Sequence, residues 1–142
     1  MKTPDPDRSR IMRAVRSKDT RPELEVRRLL FSRGYRYRLH RKDLAGSPDL
    51  VFPGRKKVIF IHGCFWHGHD CRRGAREPAT NVSYWRDKIN RNRARDQAAL
   101  ERLVENGWSV EVIWECELGL STRLALLAKL EKFLGPPGFT HG

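Results

Sequence analysis

One twelve-residue segment carries most of the reactive side chains of this chain. Residues 60–71, Phe-Ile-His-Gly-Cys-Phe-Trp-His-Gly-His-Asp-Cys, hold three of the five histidines and two of the three cysteines. Histidine and cysteine are ligands that zinc accepts, and histidine is the usual proton carrier near neutral pH. The segment therefore offers candidate metal ligands and acid–base groups together, with two large aromatic side chains between them.

Part of this segment has the spacing of a metal site. Cys64, His69 and Cys71 follow the pattern C-x4-H-x-C. Cys116 lies just past a predicted strand that we expect to neighbour the strand before the segment. These four residues would complete the tetrahedral Cys3His set of structural zinc sites. The alternative is three free thiols that happen to lie near histidines.

Asp49 indicates a second metal site, whose oxygen ligand suits a hard cation such as Mg2+. It follows Pro48 and begins a short predicted strand, and a turn and a second strand come next. Many magnesium nucleases share this layout, in which a carboxylate holds Mg2+ and the metal polarises a P–O bond. The second strand ends at His62, where such enzymes usually carry a lysine. The alternative for Asp49 is an ordinary strand-entry residue after proline.

Two histidines are candidates for proton transfer. His62 and His67 both face a phosphate if the zinc holds the segment in place, so that one activates water and the other protonates the leaving oxygen or stabilises charge. His67 also competes with His69 for the zinc. Asp96 falls near the apolar side of a long predicted helix and needs a partner there. A catalytic histidine or a nearby arginine would satisfy it.

Glu23 has two competing interpretations. Thr20-Arg21-Pro22-Glu23 has the pattern of a helix capping box with proline in the first turn. Glu23 could instead point from the helix start toward the active edge of the sheet. A carboxylate that folds back onto the Thr20 amide is not available to a water near the metal, so the two roles exclude each other.

The net charge predicts a polyanionic partner. The chain has 29 Lys+Arg against 17 Asp+Glu, a formal charge of +12, which favours nucleic acid first and an anionic membrane second. Lys88, Arg91 and Arg95 share one face of the long predicted helix. That face is either a stripe of phosphate contacts or merely solvated.

Aromatic side chains beside a basic surface suit insertion between stacked bases. Phe65, Trp66 and Trp85 are the candidates, and core packing is the alternative for them. Trp108 and Trp114 lie in a predicted buried strand, and we assign both to the core.

The pattern of elements predicts an α/β fold in the order α-β-β-β-α-β-α, with a mixed central sheet flanked by helices. At 142 residues the chain fits one domain. We expect a basic N-terminal arm over 1–18, the main domain over 19–134 and a flexible tail over 135–142. The predicted helices cover about 20–33, 84–106 and 118–134, and the predicted strands 35–40, 49–52, 57–61 and 108–114.

Composition also bears on location. No apolar stretch approaches the roughly 20 residues of a membrane span, and the first seven residues lack the apolar core of a signal peptide. Three cysteines cannot all pair, so metal binding or free thiols are favoured over a disulfide framework. We therefore expect a cytosolic protein in a reducing compartment that does not bind membranes.

From about residue 8 to about residue 118, the chain resembles the very-short-patch repair (Vsr) DNA mismatch endonucleases. The long and unusual motif over 63–71 carries most of the resemblance. Shorter matches are Arg10-Ile11-Met12-Arg13-Ala14-Val15, Pro48-Asp49, Pro78-Ala79-Thr80, Tyr84-Trp85, Lys88-Ile89, Asn92, Arg95-Asp96, Gly107-Trp108 and Trp114-Glu115-Cys116.

The resemblance implies a restriction-endonuclease-like core that nicks one DNA strand 5′ of the thymine in a T·G mismatch. Such mismatches arise when 5-methylcytosine deaminates. It implies catalytic Mg2+, structural Zn2+, double-stranded DNA as partner and a monomeric, nucleoid-associated protein of bacterial type in the cytoplasm. It leaves recruitment of mismatch-repair proteins open. The rivals are a zinc-stabilised DNA-binding protein without catalysis and a related nuclease with another DNA substrate.

The resemblance also assigns roles to residues. Asp49 and the Ile61 backbone carbonyl match the magnesium ligands, although Ile61 itself replaces a threonine. Met12 matches a residue that enters from the minor-groove side. The remaining matches are Glu23 near the metal, His62 and His67 as active-site histidines with Asp96 in support, Cys64, His69, Cys71 and Cys116 as zinc ligands, and Phe65, Trp66 and Trp85 as wedges.

Overall fold

The computed structural model describes residues 20–65, 67–69, 71 and 80–137. In this part of the chain a four-stranded sheet has the strand order β1-β2-β3-β4. The element order α-β-β-β-α-β-α is confirmed. The bounds are α1 Arg21–Ser32, β1 Arg38–Leu39, β2 Leu50–Phe52, β3 Lys57–His62, α2 Val82–Glu105, β4 Ser109–Trp114 and α3 Arg123–Leu134.

The sheet is mixed because its two halves are connected differently. Residues 40–49 connect β1 to β2 and residues 53–56 connect β2 to β3, and both pairs are antiparallel. The chain between β3 and β4 includes the 24-residue helix α2, and these two strands are parallel, as a long crossover requires. The parallel register pairs His62 with Trp114, so β3 and β4 end side by side at one edge of the sheet.

Side chains of alternate strand residues point to opposite faces, and both faces are covered. One face packs against α1 and α3, and the other packs against α2, so the molecule has three layers. The α1/α3 side contains Val26, Leu30, Tyr35, Leu50, Phe52, Ile59, Ile113, Leu126, Leu130 and Leu134. The α2 side contains Val51, Val58, Phe60 and Leu103. Strand β3, apolar from Val58 to Ile61, has a neighbouring strand on each side.

The predicted strand over 35–40 is shorter than expected. Only Arg38 and Leu39 pair with β2, because β2 itself has three residues and is bounded by Pro48 and Pro53, which lack a backbone N–H for the ladder. Tyr35 is buried instead outside the sheet, and its hydroxyl donates to the Gly135 carbonyl at 2.5 Å.

The predicted helix over 118–134 begins later. Two 3-10 turns, Glu115–Leu118 and Leu120–Thr122, precede α3. Gly119 between them is extended, with φ −67° and ψ 158°, and glycine favours such a break over helix.

Strand β4 is less buried than predicted, since Ile113 alone of its six residues is fully buried. In the described chain β4 lies at a sheet edge, where one side has no neighbouring strand.

None of the described helices is long and apolar enough to cross a membrane. The predicted arm over 1–18 and most of the predicted tail lie outside the described residues.

Candidate active site and metal centre

Candidate functional groups gather at the sheet edge where β3 and β4 end. The register that pairs His62 with Trp114 brings the loop after β3 beside the 3-10 turn after β4. Strand β2 runs antiparallel to β3, so Asp49, just before β2, lies at the same edge. The His40 backbone N–H donates to the Asp49 carbonyl at 3.3 Å, which adds the end of β1.

The four predicted zinc ligands lie together at this edge. One ligand atom from each of Cys64, His69, Cys71 and Cys116 lies within 4.8 Å of the others. The Cys116 backbone N–H donates to the Cys64 sulfur at 3.4 Å, and the Cys116 sulfur lies 3.6 Å from His69 Nδ1. A soft Cys3His donor set at this separation fits a tetrahedral Zn2+.

Burial shapes the acidity of this cluster. Burial raises the pKa of Cys64 to about 12 and also raises the pKa of Cys116. Without a cation both groups are therefore neutral thiols at neutral pH. Zinc is bound by thiolates, so binding would have to displace these protons.

Gly68 lets the loop lie close to α2. Its φ is +64°, and a Cβ there would lie 2.7 Å from Ile89 Cγ2 and 2.7 Å from Arg93 Cδ. A residue with a side chain would be strained in this left-handed backbone conformation, and its Cβ would also clash with side chains of α2. The glycine between the two loop histidines therefore sets how near His67 comes to α2.

A second cluster has harder ligands. One atom from each of Glu23, His40 and Asp49 lies within 4.8 Å of the others. Asp49 is only partly exposed, and its Oδ2 accepts a hydrogen bond from the Ile61 backbone N–H at 2.7 Å. Burial raises the pKa of Asp49, against the opposing effects of this hydrogen bond and of the nearby His40, His67 and Arg27. Carboxylates whose charge is costly to bury fit a hard divalent cation such as Mg2+.

Glu23 joins this cluster rather than closing a capping box. The Glu23 backbone N–H donates to Thr20 Oγ1 at 3.4 Å, which is half of the predicted motif. The Glu23 side chain, 2% exposed, forms an ion pair with Arg27, and its Oε2 lies 2.7 Å from His40 Nε2. The carboxylate is therefore directed toward the sheet edge.

The competition between His67 and His69 is resolved by geometry. His69 lies with the cysteines, whereas His67 Nδ1 lies 2.5 Å from Asp96 Oδ2 on α2. An ionised carboxylate only accepts hydrogen bonds, so Nδ1 carries the proton and Nε2 of His67 presents its lone pair. The interpretation of Asp96 as the partner of a histidine is the one this geometry supports.

His62 stacks on His67 but differs from it chemically. The ring centroids are 3.8 Å apart and the planes are inclined by 2°. Burial, followed by the neighbouring His67, lowers the pKa of His62 to about 4. His62 is therefore neutral at neutral pH, and its buried Nδ1 has no hydrogen-bond partner within the described chain. A neutral imidazole here can donate or accept a hydrogen bond but is a poor reservoir of an extra proton.

Two of the predicted wedge residues pack against each other. The rings of Phe65 and Trp85 meet edge to face with centroids 5.8 Å apart. Trp66 and Met12, the other predicted DNA contacts in this group, lie outside the described residues. Trp108 packs partly buried against the α2 side of the core.

Trp114 is not the core residue that the sequence indicates. It is only partly buried, and its ring stacks on His69 with centroids 4.1 Å apart and planes inclined by 15°. It also meets His62 edge to face at 5.2 Å. The assignment is wrong because β4 is the outermost strand of the described sheet, and because Trp114, its last residue, lies where the strands end beside the histidines.

An open cleft of about 1800 Å3 joins these groups. Asp49, His62, His67 and Asp96 line it, and so do the three cations predicted on one helix face, Lys88, Arg91 and Arg95. The helix face with these cations thus borders the same cleft as the carboxylates and histidines. This arrangement suits a polyanion held across the sheet edge.

Sequence reasoning missed His40 and Arg27. His40 was counted only as the last residue of a strand that alternates aromatic and basic side chains. The signal is the pairing of that strand with the next one, because the antiparallel register that pairs Leu39 with Leu50 places His40 opposite Asp49. Arg27 lies four residues after Glu23, a spacing that puts two helical side chains on one face.

Comparisons with known proteins identify the family to which this chain is similar. A family model described as DNA mismatch endonuclease Vsr matches residues 2–73. The type II nicking enzyme V.XorIIP of Xanthomonas oryzae pv. oryzae is 56% identical over 132 residues, covering 92% of this chain and 95% of that protein. The type II nicking enzyme V.NmeAIP of Neisseria meningitidis is 46% identical over 111 residues, with 78% and 79% covered.

A further relative carries the family name itself. The DNA mismatch endonuclease Vsr of Escherichia coli is 40% identical over 130 residues, which cover 89% of this chain and 83% of that protein. The family model matches half of the chain and these relatives match most of it. The chain therefore belongs to the Vsr family of DNA mismatch endonucleases.

Proposed function

We propose that this protein is a Mg2+-dependent endonuclease that nicks one strand 5′ of the thymine in a T·G mismatch produced by deamination of 5-methylcytosine. The observation that carries the proposal is the His67–Asp96 pair, which shares one cation-lined cleft with Asp49. The relatives support it, since they are named as nicking enzymes and as a mismatch endonuclease. We further propose that the sheet and its helices form a restriction-endonuclease-like core with a structural Zn2+.

The Asp49 carboxylate and the Ile61 backbone carbonyl would hold Mg2+, with Glu23 beside them. When bound there, Mg2+ would neutralise charge on a phosphate oxygen and polarise the P–O bond. Asp49 is suited to this role because a buried carboxylate is costly alone and because the Ile61 N–H fixes its orientation.

His67 would act as the general base. Its Nε2 accepts a proton from the attacking water, while Asp96 holds Nδ1–H and stabilises the imidazolium that forms. The neutral His62 ring, stacked at 3.8 Å, would donate a hydrogen bond to a phosphate oxygen. Attack by water would form one P–O bond and break the bond between phosphorus and the leaving sugar oxygen, and this oxygen would take up a proton from solvent.

The Cys64, His69, Cys71 and Cys116 set would hold Zn2+ as a structural link between the β3 loop and the β4 turn. Zinc in such a site contributes folding free energy. The link matters for catalysis because His67 lies in the same loop, between ligands at 64 and 69.

Recognition would rely on weak stacking at the mismatch. A mismatched pair is cheaper to unstack than a matched one. The Phe65–Trp85 pair, together with Trp66, would replace the lost base stacking. Met12 would enter from the minor-groove side. Lys88, Arg91 and Arg95 would contact phosphates, so binding would weaken steeply with salt.

The test is a strand-specific nicking assay with T·G, T·A, C·G and single-stranded substrates, with and without Mg2+. We expect cleavage of the thymine strand of T·G alone, dependent on Mg2+ and abolished in Asp49→Asn. Asp87→Asn, at an exposed carboxylate on α2, is the matched control and should cut normally. Binding without any cleavage would favour the non-catalytic rival, and equal cutting of matched or single-stranded DNA would favour a nuclease with another substrate.

A further inference from the structure

Glu23 is enclosed by two cationic or polar side chains that the proposed reaction does not use. The side chain is 2% exposed, and a buried carboxylate is costly unless it is paired. Arg27 Nη2 and His40 Nε2 both contact the same oxygen, Oε2. Two partners on one oxygen fix the rotation of the carboxylate group, and so they fix where its other oxygen lies.

The backbone places these partners from different elements. Arg27 is one turn after Glu23 in α1, 13% exposed in its side chain. His40 follows β1, and its N–H donates to the Asp49 carbonyl at 3.3 Å. His40 has φ +50°, a left-handed conformation that costs a residue with a side chain on the order of 1 kcal/mol. Such a cost is tolerated where the surroundings hold the residue in place, and here they hold it between Glu23 and Asp49.

We propose that Arg27 and His40 are positioning residues, which hold the Glu23 carboxylate toward Asp49 in the orientation that hydrolysis requires. This inference rests on the proposed function, because it gives Glu23 its role beside the metal. His40 acts through Glu23 and does not itself bind the metal. The reason is that Arg27 Nη2 lies 3.2 Å from His40 Nε2, and a guanidinium beside that nitrogen repels a divalent cation.

The rival role for His40 is that of a metal ligand. Its ligand atom lies within 4.8 Å of those of Glu23 and Asp49, and an imidazole nitrogen suits Mn2+ and later transition metals better than Mg2+. The two roles differ in what removal of the imidazole does to metal affinity and in whether the effect depends on Glu23.

A double-mutant cycle tests the dependence on Glu23. Single-turnover nicking rates are measured for the parent, Glu23→Ala, His40→Ala and the double variant. We expect His40→Ala to slow nicking about 10- to 100-fold, the usual effect of losing a group that orients a ligand, and the double variant to be no slower than Glu23→Ala. Multiplying losses would overturn the proposal, because they would show that His40 acts independently of Glu23.

Conservative variants and a neighbour complete the cycle. His40→Gln keeps a side-chain N–H donor and should recover most of the rate. If His40→Ala does not fold, His40→Asn, whose side chain is too short to reach Oε2, takes its place.

The same logic tests Arg27. Arg27→Ala should slow nicking when Glu23 is present and should have no further effect in the Glu23→Ala background. Arg28→Ala, at the exposed neighbouring position, is the matched control and should keep the parent rate. Equal losses in Arg27→Ala and Arg28→Ala would contradict the role of Arg27.

Metal binding without DNA provides a readout that is independent of activity. Mn2+ is titrated into the zinc-loaded protein and followed by electron paramagnetic resonance. We expect His40→Ala to change the Mn2+ dissociation constant less than about threefold and Asp49→Ala to abolish binding. A loss of affinity in His40→Ala of about tenfold or more, which is about 1.4 kcal/mol, would overturn the proposal, because it would show that the imidazole itself contributes to metal binding.

The two levels of inference fail separately. If the parent protein nicks a duplex other than T·G, the proposed substrate is wrong, but the cycle is measured on that duplex and keeps its meaning. If T·G is nicked and the cycle is multiplicative, the proposed function stands and the positioning role is wrong.

Discussion

Two clusters of potential metal ligands lie where the strands end at the same side of the sheet, and they differ in chemistry. In each, the ligand atoms lie within 4.8 Å of one another. The first joins Cys64, His69, Cys71 and Cys116, whose soft ligands link the loop after β3 to the turn after β4. The second joins Glu23, His40 and Asp49, whose hard oxygens border the open cleft.

The difference lies in what each cluster leaves available. Four Cys and His ligands complete a tetrahedral zinc site, and a closed site holds structure together but does not take part in a reaction. Two carboxylates and a histidine leave positions for water and phosphate around a larger coordination shell. The comparison therefore assigns stability to the sulfur cluster and chemistry to the carboxylate cluster, which separate substitutions can test.

The largest expected effect is on activity at the carboxylate cluster. Asp49→Asn should lower the nicking rate by at least about 1000-fold, the scale set by losing the stabilisation of developing charge. The measurement is single-turnover nicking of a T·G duplex at saturating Mg2+. A variant that keeps a rate near that of the parent would break the assignment of chemistry to this cluster.

The same variant should be more stable than the parent in the absence of Mg2+. Burial raises the pKa of Asp49 in the folded protein, so the stability linked to its protonated form is lost as the pH rises through that pKa. Above it, the buried charge destabilises the folded state by about 1.4 kcal/mol per unit of pKa difference. Asparagine removes this cost, and the gain should disappear below pH 4. Thermal unfolding at pH 7 and pH 3.5 measures it.

A substitution in the sulfur cluster should lower the stability of the protein, whereas Asp49→Asn should raise it. Cys116→Ser should lose bound zinc and several kcal/mol of stability, because structural zinc is coupled to folding. Zinc content by mass spectrometry of the native protein and urea unfolding measure the two effects. Full stability together with lost zinc would show that the link between the β3 loop and the β4 turn does not depend on the metal.

Two histidines in one loop give the sharpest matched pair. His67→Ala should retain zinc and stability but slow nicking about 100- to 1000-fold, as expected for loss of a general base. His69→Ala should lose zinc and destabilise the protein. Zinc content, unfolding and nicking are measured for both variants. If both variants lose zinc, stability and nicking to the same degree, the two histidines do not have separate roles. That result would contradict the separate role of His67 that its contact with Asp96 indicates.

The smallest predicted effect concerns recognition. Phe65→Ala and Trp85→Ala should each weaken binding to T·G duplex by about 1–3 kcal/mol, the contribution of aromatic stacking on a base. Binding to a matched duplex should change less. Phe31→Ala, at an exposed phenylalanine on α1, is the control. Equal losses on matched and mismatched DNA would indicate that the aromatic pair supports the fold instead of reading weak stacking.

Much of this layout was available from the sequence. The run Val58–Ile61 is continuously apolar, which favours a central strand, and the C-x4-H-x-C pattern after it indicates zinc. Cys116 was placed with that pattern because the two strand ends were expected to be neighbours, and the parallel register is what makes this true. These features were predictable because they depend on local periodicity and on one strand pairing.

What escaped prediction depends on tertiary contacts. His40 joins Glu23 only through the pairing of β1 with β2 and the packing of α1 against the sheet edge. Trp114 was assigned to the core because nothing local distinguishes the last residue of an edge strand from that of a buried one. Local sequence decides only in part whether Glu23 caps its helix or faces the cleft. Arg27, one turn later in the same helix, is a local partner for the Glu23 carboxylate, whereas His40 reaches it only through packing.

The most direct test of the division between the two clusters is one preparation followed through loss and return of Mg2+. The zinc-loaded protein is exchanged into buffer free of divalent ions, and zinc content and nicking of a T·G duplex are measured before and after Mg2+ is restored. We predict that zinc stays bound throughout, while nicking falls to background and returns with Mg2+. Nicking that persists without Mg2+ and follows the zinc content would contradict the account.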